Sequence, residues 1–235
     1  MTGLHPEYGR RVKAAALSAS RAIAARAGAS VLMIVPSPIY HTNPEETEAN
    51  LRAIAAAGNL PVMIYSNRVA NRVDVTVDIM ERLADEVRFV AVKESSDDIR
   101  RSTEIVNRLG DRYDLFTGVD SLAFEALAVG AVGWVAGLVV AFPAETVAIY
   151  RLMKAGRQAE ALTIYRWFRP LIDLDVSTYL DQNIKLAEML AIGSNDRVRG
   201  PRQPLSGTRR AEVEAMIRAA ITSRPALPEL AKMVA

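Results

Sequence analysis

The chain has 235 residues, half of them hydrophobic, with 29 Lys and Arg against 27 Asp and Glu and a formal net charge of +2. A balance this even excludes a strongly basic nucleic-acid-binding protein, and the absence of cysteine excludes a disulfide framework or a thiolate metal site. With His5 and His41 as the only histidines, a His-rich metal centre and a Ser-His-Asp triad are disfavoured.

Taken in order, residues 14–27 read as an Ala-rich helix that stops at Gly28. Its Arg and Lys residues resemble a transit peptide in composition, but an ordinary surface helix fits the repeat that follows better. Residues 31–35 form an apolar run suited to a strand. Pro36, Pro38 and Pro44 make the next segment a loop. A helix is predicted over 45–57, with Asn43 or Thr42 near its N-cap and Gly58 after its end. A strand over 62–65 leads into a polar loop over 66–72, and a helix over 75–84 is capped by Thr76. A strand over 89–92 precedes a helix over 97–109, for which Ser95, Ser96 and Asp97 are the candidate N-caps. A strand over 113–117, a helix over 121–129 and a last strand from Gly133 complete the repeat.

This is a strand–helix unit recurring every ~25–30 residues, the spacing of parallel strands joined by helical crossovers. The strands are apolar without alternation, as in a sheet covered on both faces. Beyond Pro143 only helices are predicted, near 143–155, 157–172, 177–192 and 209–222. The expected class is α/β, with residues 1–143 forming the strand–helix body and residues 144–235 its last helix and a helical extension. Residues 126–144 carry no charge, but Gly130, Gly133, Gly137 and Pro143 interrupt them, so they read as helix end, turn, strand and loop rather than a membrane span. No secretory signal is visible, and the expected location is the cytoplasm.

In parallel α/β folds the loops after the strands carry the chemistry. Lys93 ends an apolar strand, where desolvation disfavours its charge and frees the amine as a nucleophile. A lysine that snorkels past the strand end to solvent explains the same position. Tyr65 lies one strand–helix unit earlier, so it is expected at the same end of a neighbouring strand. Its phenol can shuttle protons while an amine adds to a carbonyl, although a strand-end tyrosine with its hydroxyl in water is the plainer reading. No G-x-G-x-x-G or P-loop pattern occurs.

Several spaced motifs together resemble the dihydrodipicolinate synthase / N-acetylneuraminate lyase family. They are Tyr65, Val92-Lys93-Glu94-Ser95-Ser96-Asp97, Thr117-Gly118-Val119-Asp120, Gly130-Ala131-Val132-Gly133-Trp134-Val135-Ala136-Gly137, Lys185-Leu186-Ala187 and Arg199-Gly200-Pro201-Arg202. The resemblance implies a (β/α)8 TIM-barrel type fold with C-terminal helices. It implies a Schiff base between Lys93 and a small 2-keto acid or cyclic imino acid, with Tyr65 as proton relay. Tyr40 stands where the family lends a second tyrosine to a neighbouring subunit, and Val135 would line the pocket. Gly118 and Ser66 are the further substrate contacts expected. Members need no metal or organic cofactor and are commonly homotetramers built from dimers. The resemblance extends most closely to deaminases of 1-pyrroline-4-hydroxy-2-carboxylate, on Ile164-Tyr165-Arg166-Trp167, Leu174-Asp175 and Asn183-Ile184-Lys185. The dihydrodipicolinate synthase reaction, or another pyruvate aldolase or sugar-acid dehydratase reaction, is the alternative.

Two departures stand out. The arginine that clamps a dicarboxylate in the synthases aligns with Ala70, with Arg68 or Arg72 as possible substitutes. Counted back from Lys93, three of the family's strands find no counterpart, so a partial barrel is expected. A truncated product, a second chain that completes the barrel, and self-association are all compatible with that pattern. The competing reading is a noncatalytic barrel fragment that serves as an oligomerisation partner; a nucleic-acid or membrane partner has no support in the charge pattern.

Overall fold

The computed structural model describes residues 23–36 and 41–229; Tyr40 lies outside them. The chain is α/β, with five strands in sheet order β1 (Leu32–Ile34), β2 (Val62–Ser66), β3 (Phe89–Glu94), β4 (Asp114–Thr117) and β5 (Gly133–Trp134). The order follows the sequence, as expected when each helix returns the chain to the next parallel strand. Five strands among the described residues make a partial barrel, since closure of this type takes eight.

The chain divides into two compact units, residues 1–116 and 117–235. In the first, β1 pairs in parallel with β2 and β2 with β3. Helix α1 (Pro44–Ala56) begins at Asn43, whose Oδ1 accepts the Glu46 N–H at 2.8 Å while the Glu46 carboxylate accepts the Asn43 N–H at 3.1 Å. Such a reciprocal cap contributes about 1 kcal/mol. The helix turns Leu51 and Ala55 inward.

The predicted polar loop after β2 contains a single helical turn, α2 (Arg68–Asn71), which Asn67 caps through its side chain. Helix α3 (Val77–Arg82) is capped by Thr76 as expected and runs on as a 3-10 turn. Helix α4 (Ile99–Leu109) is capped by Asp98 rather than by Ser95, Ser96 or Asp97. The extra residue is needed because Asp97 turns the chain with φ of +62°.

Ile64, Val75, Ile79, Met80, Phe89, Val92 and Ile105 are fully or almost fully buried in this unit. Each large apolar side chain so buried contributes about 1.5–3 kcal/mol. Tyr113 joins them with its hydroxyl donating to Met80 O at 2.7 Å, and burial pushes its phenol up to about 12. Arg112 donates to the carbonyls of Ala84, Glu86 and Phe89 and so ties down the turn that enters β3.

The second unit is mainly helical. Helix α5 (Ala123–Ala128) precedes β5, and α6 (Pro143–Lys154), α7 (Gln158–Ile172), α8 (Leu180–Ile192) and α9 (Gly207–Thr222) follow. Their core is one cluster of Phe142, Ile149, Leu152, Phe168, Leu171, Ile172, Leu186 and Ile217. Phe142 and Phe168 meet edge to face, with ring centres 5.6 Å apart. The uncharged stretch over 126–144 resolves into the end of α5, β5 and a 3-10 turn, Leu138–Val140. No described helix is long and apolar enough to cross a membrane.

Candidate active site

The site is built at the ends of β2 and β3. Their register pairs Tyr65 with Lys93 and Ser66 with Glu94. Side chains alternate across a sheet, so Tyr65 and Lys93 share one face and Ser66 and Glu94 the other. Lys93 is half-buried, and its Nζ stands 4.0 Å from the centre of the Tyr65 ring. An amine at this range over a phenol face is attracted by the ring's quadrupole. Asn67 holds the phenol oxygen: its Nδ2 donates to Tyr65 Oη at 3.0 Å while its Oδ1 accepts the Ala70 N–H at 2.9 Å. The cap of α2 and the orientation of Tyr65 therefore depend on one side chain.

The turn after Lys93 is heavily tied. The Ser95 N–H donates to Ser66 O at 2.8 Å, which carries the β2–β3 pairing one residue past the lysine. The Ser96 N–H donates to Glu94 Oε1, and Ser96 O accepts from Arg68 Nε at 3.1 Å. Glu94 is only 5 % exposed, and burial raises its pKa above the ordinary carboxylate value, opposed by the Ser96 hydrogen bond and by Arg101. Arg101 itself forks onto Asp74 through both terminal nitrogens.

The other expected site residues divide between the two units. Ser66 is fully buried on the face opposite Lys93, and its Oγ donates to Val75 O at 3.4 Å. Gly118 follows β4 in the second unit, half-buried. Val135, also half-buried, donates its N–H to Thr117 O at 2.9 Å and so sits beside the end of β4. The expected role of Tyr40 falls outside the described residues. Arg68 does not stand free as a carboxylate clamp, because Asp74 and Asp98 lie 3.8 and 3.9 Å from its terminal nitrogens and Ser96 O takes its Nε. Arg72 is exposed, in a left-handed conformation with φ of +57°.

The spacing of motifs does not reveal the part played by Asp120. It is fully buried, and its carboxylate accepts from Trp134 Nε1 at 2.9 Å, from the Gly137 N–H at 3.1 and 3.2 Å and from the Leu138 N–H at 2.9 Å. That one side chain shapes the loop carrying Val135, Ala136 and Gly137. Its place at the end of the strand β4, before a helix, was the available signal. Asp175 is half-buried and packs against Gly137. No cluster of three or more His, Asp or Glu among the described residues is placed to hold a metal ion.

This arrangement suits addition of an amine to a carbonyl: a nucleophile at a strand end, a phenol beside it to pass protons, and an amide to orient the phenol. Comparison with known proteins places the chain in a family. A family model described as the dihydrodipicolinate synthetase family matches residues 9–220. The 4-hydroxy-tetrahydrodipicolinate synthase of Geotalea uraniireducens is 27 % identical over 192 residues, 80 % of this chain and 64 % of that protein. Its counterpart in Phocaeicola vulgatus is 33 % identical over 148 residues, 62 % of this chain and 49 % of that protein. Among solved structures, the 4-hydroxy-tetrahydrodipicolinate synthase of Methylacidiphilum fumariolicum SolV superimposes with a TM-score of 0.74 at 28 % identity, covering 86 % of this chain and 65 % of that one. The chain thus spans from about half to just under two thirds of the length of these curated relatives.

Proposed function

The chain belongs to the dihydrodipicolinate synthetase family, and from that premise we propose that it is a lysine-imine lyase acting on a small 2-keto acid or cyclic imino acid. Lys93 Nζ adds to the C2 carbon of the substrate. With a 2-keto acid, Tyr65 passes the proton that lets the carbinolamine lose water and become an imine; with a cyclic imino acid the adduct is an aminal, and the proton goes to the ring nitrogen, which leaves as the ring opens. Asn67 keeps the phenol oxygen in place during that exchange. No metal or organic cofactor enters this scheme. The observation that carries the reading is the amine of Lys93 poised 4.0 Å over the ring of its register partner Tyr65.

The finer reading is deamination of 1-pyrroline-4-hydroxy-2-carboxylate, in which one water is consumed and ammonia and 2-oxoglutarate semialdehyde leave. It draws on the engagement of Arg68 by Asp74, Asp98 and Ser96 and on Ala70 at the position of the synthases' clamping arginine. A second reading, the 4-hydroxy-tetrahydrodipicolinate synthase reaction, is favoured by the names of the relatives themselves. Homo-oligomeric assembly belongs to the same proposal.

Incubation with pyruvate and borohydride, followed by peptide mass spectrometry, tests the imine. The expected result is a reduced pyruvate adduct on Lys93; adducts spread over surface lysines, or none, would sink the assignment. Ammonia release from 1-pyrroline-4-hydroxy-2-carboxylate, measured against consumption of pyruvate with aspartate semialdehyde, separates the two finer readings.

A further inference from the structure

We propose that Glu94 is a positioning residue for Lys93: its buried side chain locks the turn that follows β3 and so fixes where the lysine amine stands over Tyr65. This rests on the imine reading above.

The argument starts from strand parity. Lys93 and Glu94 are neighbours on β3, so the lysine faces the candidate site and the glutamate faces away from it, paired in register with the buried Ser66. Glu94 Oε1 then turns along the chain to accept the N–H of Ser96. Two further ties bind the same turn to the end of β2 and to the helical turn after it, Ser95 N–H to Ser66 O and Arg68 Nε to Ser96 O. The strand end that carries Tyr65 and the turn that follows Lys93 are therefore one braced unit, with Glu94 as the carboxyl that holds the Ser96 N–H. The brace works against local backbone preference, since Asp97 immediately beyond it adopts a left-handed φ of +62°.

A purely structural role explains the position poorly. Ser95 Oγ is buried with no hydrogen-bond partner among the described residues, and the Ser96 hydroxyl acts only on the Glu94 carboxyl beside it. Buried side-chain oxygens that lack a well-formed hydrogen bond are costly. Retaining them is consistent with a demand on geometry rather than on stability. Burial raises the Glu94 carboxyl pKa, and an amide of the same length keeps the oxygen that accepts from the Ser96 N–H.

The test compares Glu94→Gln with Glu94→Ala in the full chain, by the first-order rate of borohydride-trapped imine on Lys93 at saturating pyruvate. A misplacement of ~1 Å can cost on the order of 100-fold in such a step. Glu94→Ala is expected to slow trapping about tenfold or more, and Glu94→Gln less than about threefold, with unchanged circular dichroism and elution volume in both. Equal rates in Glu94→Ala and the parent, or equal losses in the two variants, would overturn the proposal. Should Glu94→Ala fail to fold, Glu94→Gln and Glu94→Asp decide it, because Asp keeps the carboxyl but shortens the reach: Gln is expected near the parent rate and Asp well below it, and the reverse order refutes the brace. If the parent itself gives no adduct, the imine reading has failed. The brace is then judged by the rate at which acetic anhydride labels Lys93, which Glu94→Ala but not Glu94→Gln is expected to alter; no difference between them removes it.

Discussion

Tyr65 and Lys93 are register partners on adjacent parallel strands, and the lysine amine lies over the tyrosine ring rather than against a carboxylate. The ring and the hydroxyl of Tyr65 are thus separable contributions. Tyr65→Phe keeps the ring under the amine and removes only the proton relay. The adduct with pyruvate is expected still to form on Lys93, at a rate lower by roughly 10²–10⁴, the usual yield of positioned general acid–base catalysis. Lys93→Arg is expected to give no adduct, because a guanidinium does not add to carbonyls under these conditions. Quenched-flow borohydride trapping reads both.

Glu94 makes stability depend on pH in an unusual direction. Burial raises its carboxyl pKa in the folded chain above the unfolded value, so folding takes up protons in the interval between the two. Its contribution is fully present below the ordinary carboxylate pKa and is lost as pH rises through the folded value. Arg101 and Asp74 are the charged groups that act on it, the first lowering and the second raising the value. Asp98 behaves oppositely: the Arg100 guanidinium holds it down at about 2, so its smaller, solvent-screened effect falls at acid pH. Urea titrations at stepped pH are expected to show a decline above the ordinary carboxylate range that Glu94→Gln abolishes. An unchanged slope in the variant would assign the decline elsewhere.

Asp120 satisfies three donors from a loop distant in sequence. Each buried donor left without a partner costs about 1–3 kcal/mol. Asp120→Ala is therefore expected to lower stability by roughly 3 kcal/mol or more, with Trp134 fluorescence shifted as its indole loses its acceptor. Asp120→Asn retains one acceptor oxygen and is expected to fall between. Denaturant midpoints followed by fluorescence measure both.

The first three strands were readable because each is built on an apolar run between turn residues, and Val62–Ser66 and Phe89–Glu94 depart from the predicted spans only at their C-terminal ends. The meeting of Tyr65 and Lys93 followed from counting one strand–helix unit between them. What escaped is what depends on fine backbone geometry or on long-range polar partners. Asp97 in the left-handed region moves the cap to Asp98, and Asn67 winds a turn of helix where only polar composition was visible. Glu94 was half legible: parity alone sends it to the face opposite Lys93, but nothing local says that this face is closed. The task of Arg68 was hidden because Ser96 and Asp98 lie about thirty residues away.

Gly137 is tight for a different reason from the turn glycines. Its backbone is ordinary, φ −85°, yet a Cβ there would stand 2.2 Å from Asp175 Oδ1 and 2.9 Å from Asp175 Cγ. The obstacle is a side chain from the 3-10 turn Asp173–Asp175, so relief depends on whether that carboxylate can rotate away. Overpacking of this kind costs about 1–3 kcal/mol. Gly137→Ala is expected to destabilise by that amount while Asp175→Ala, which opens the space, has its own separate cost. The double variant is then expected to be more stable than the sum of the two losses predicts, by roughly 1–2 kcal/mol of coupling. Additive losses in a double-mutant cycle, read from urea midpoints, would mean that the loop moves instead of the carboxylate. In that case the loop bearing Gly137 would be softer than its Asp120 anchors imply.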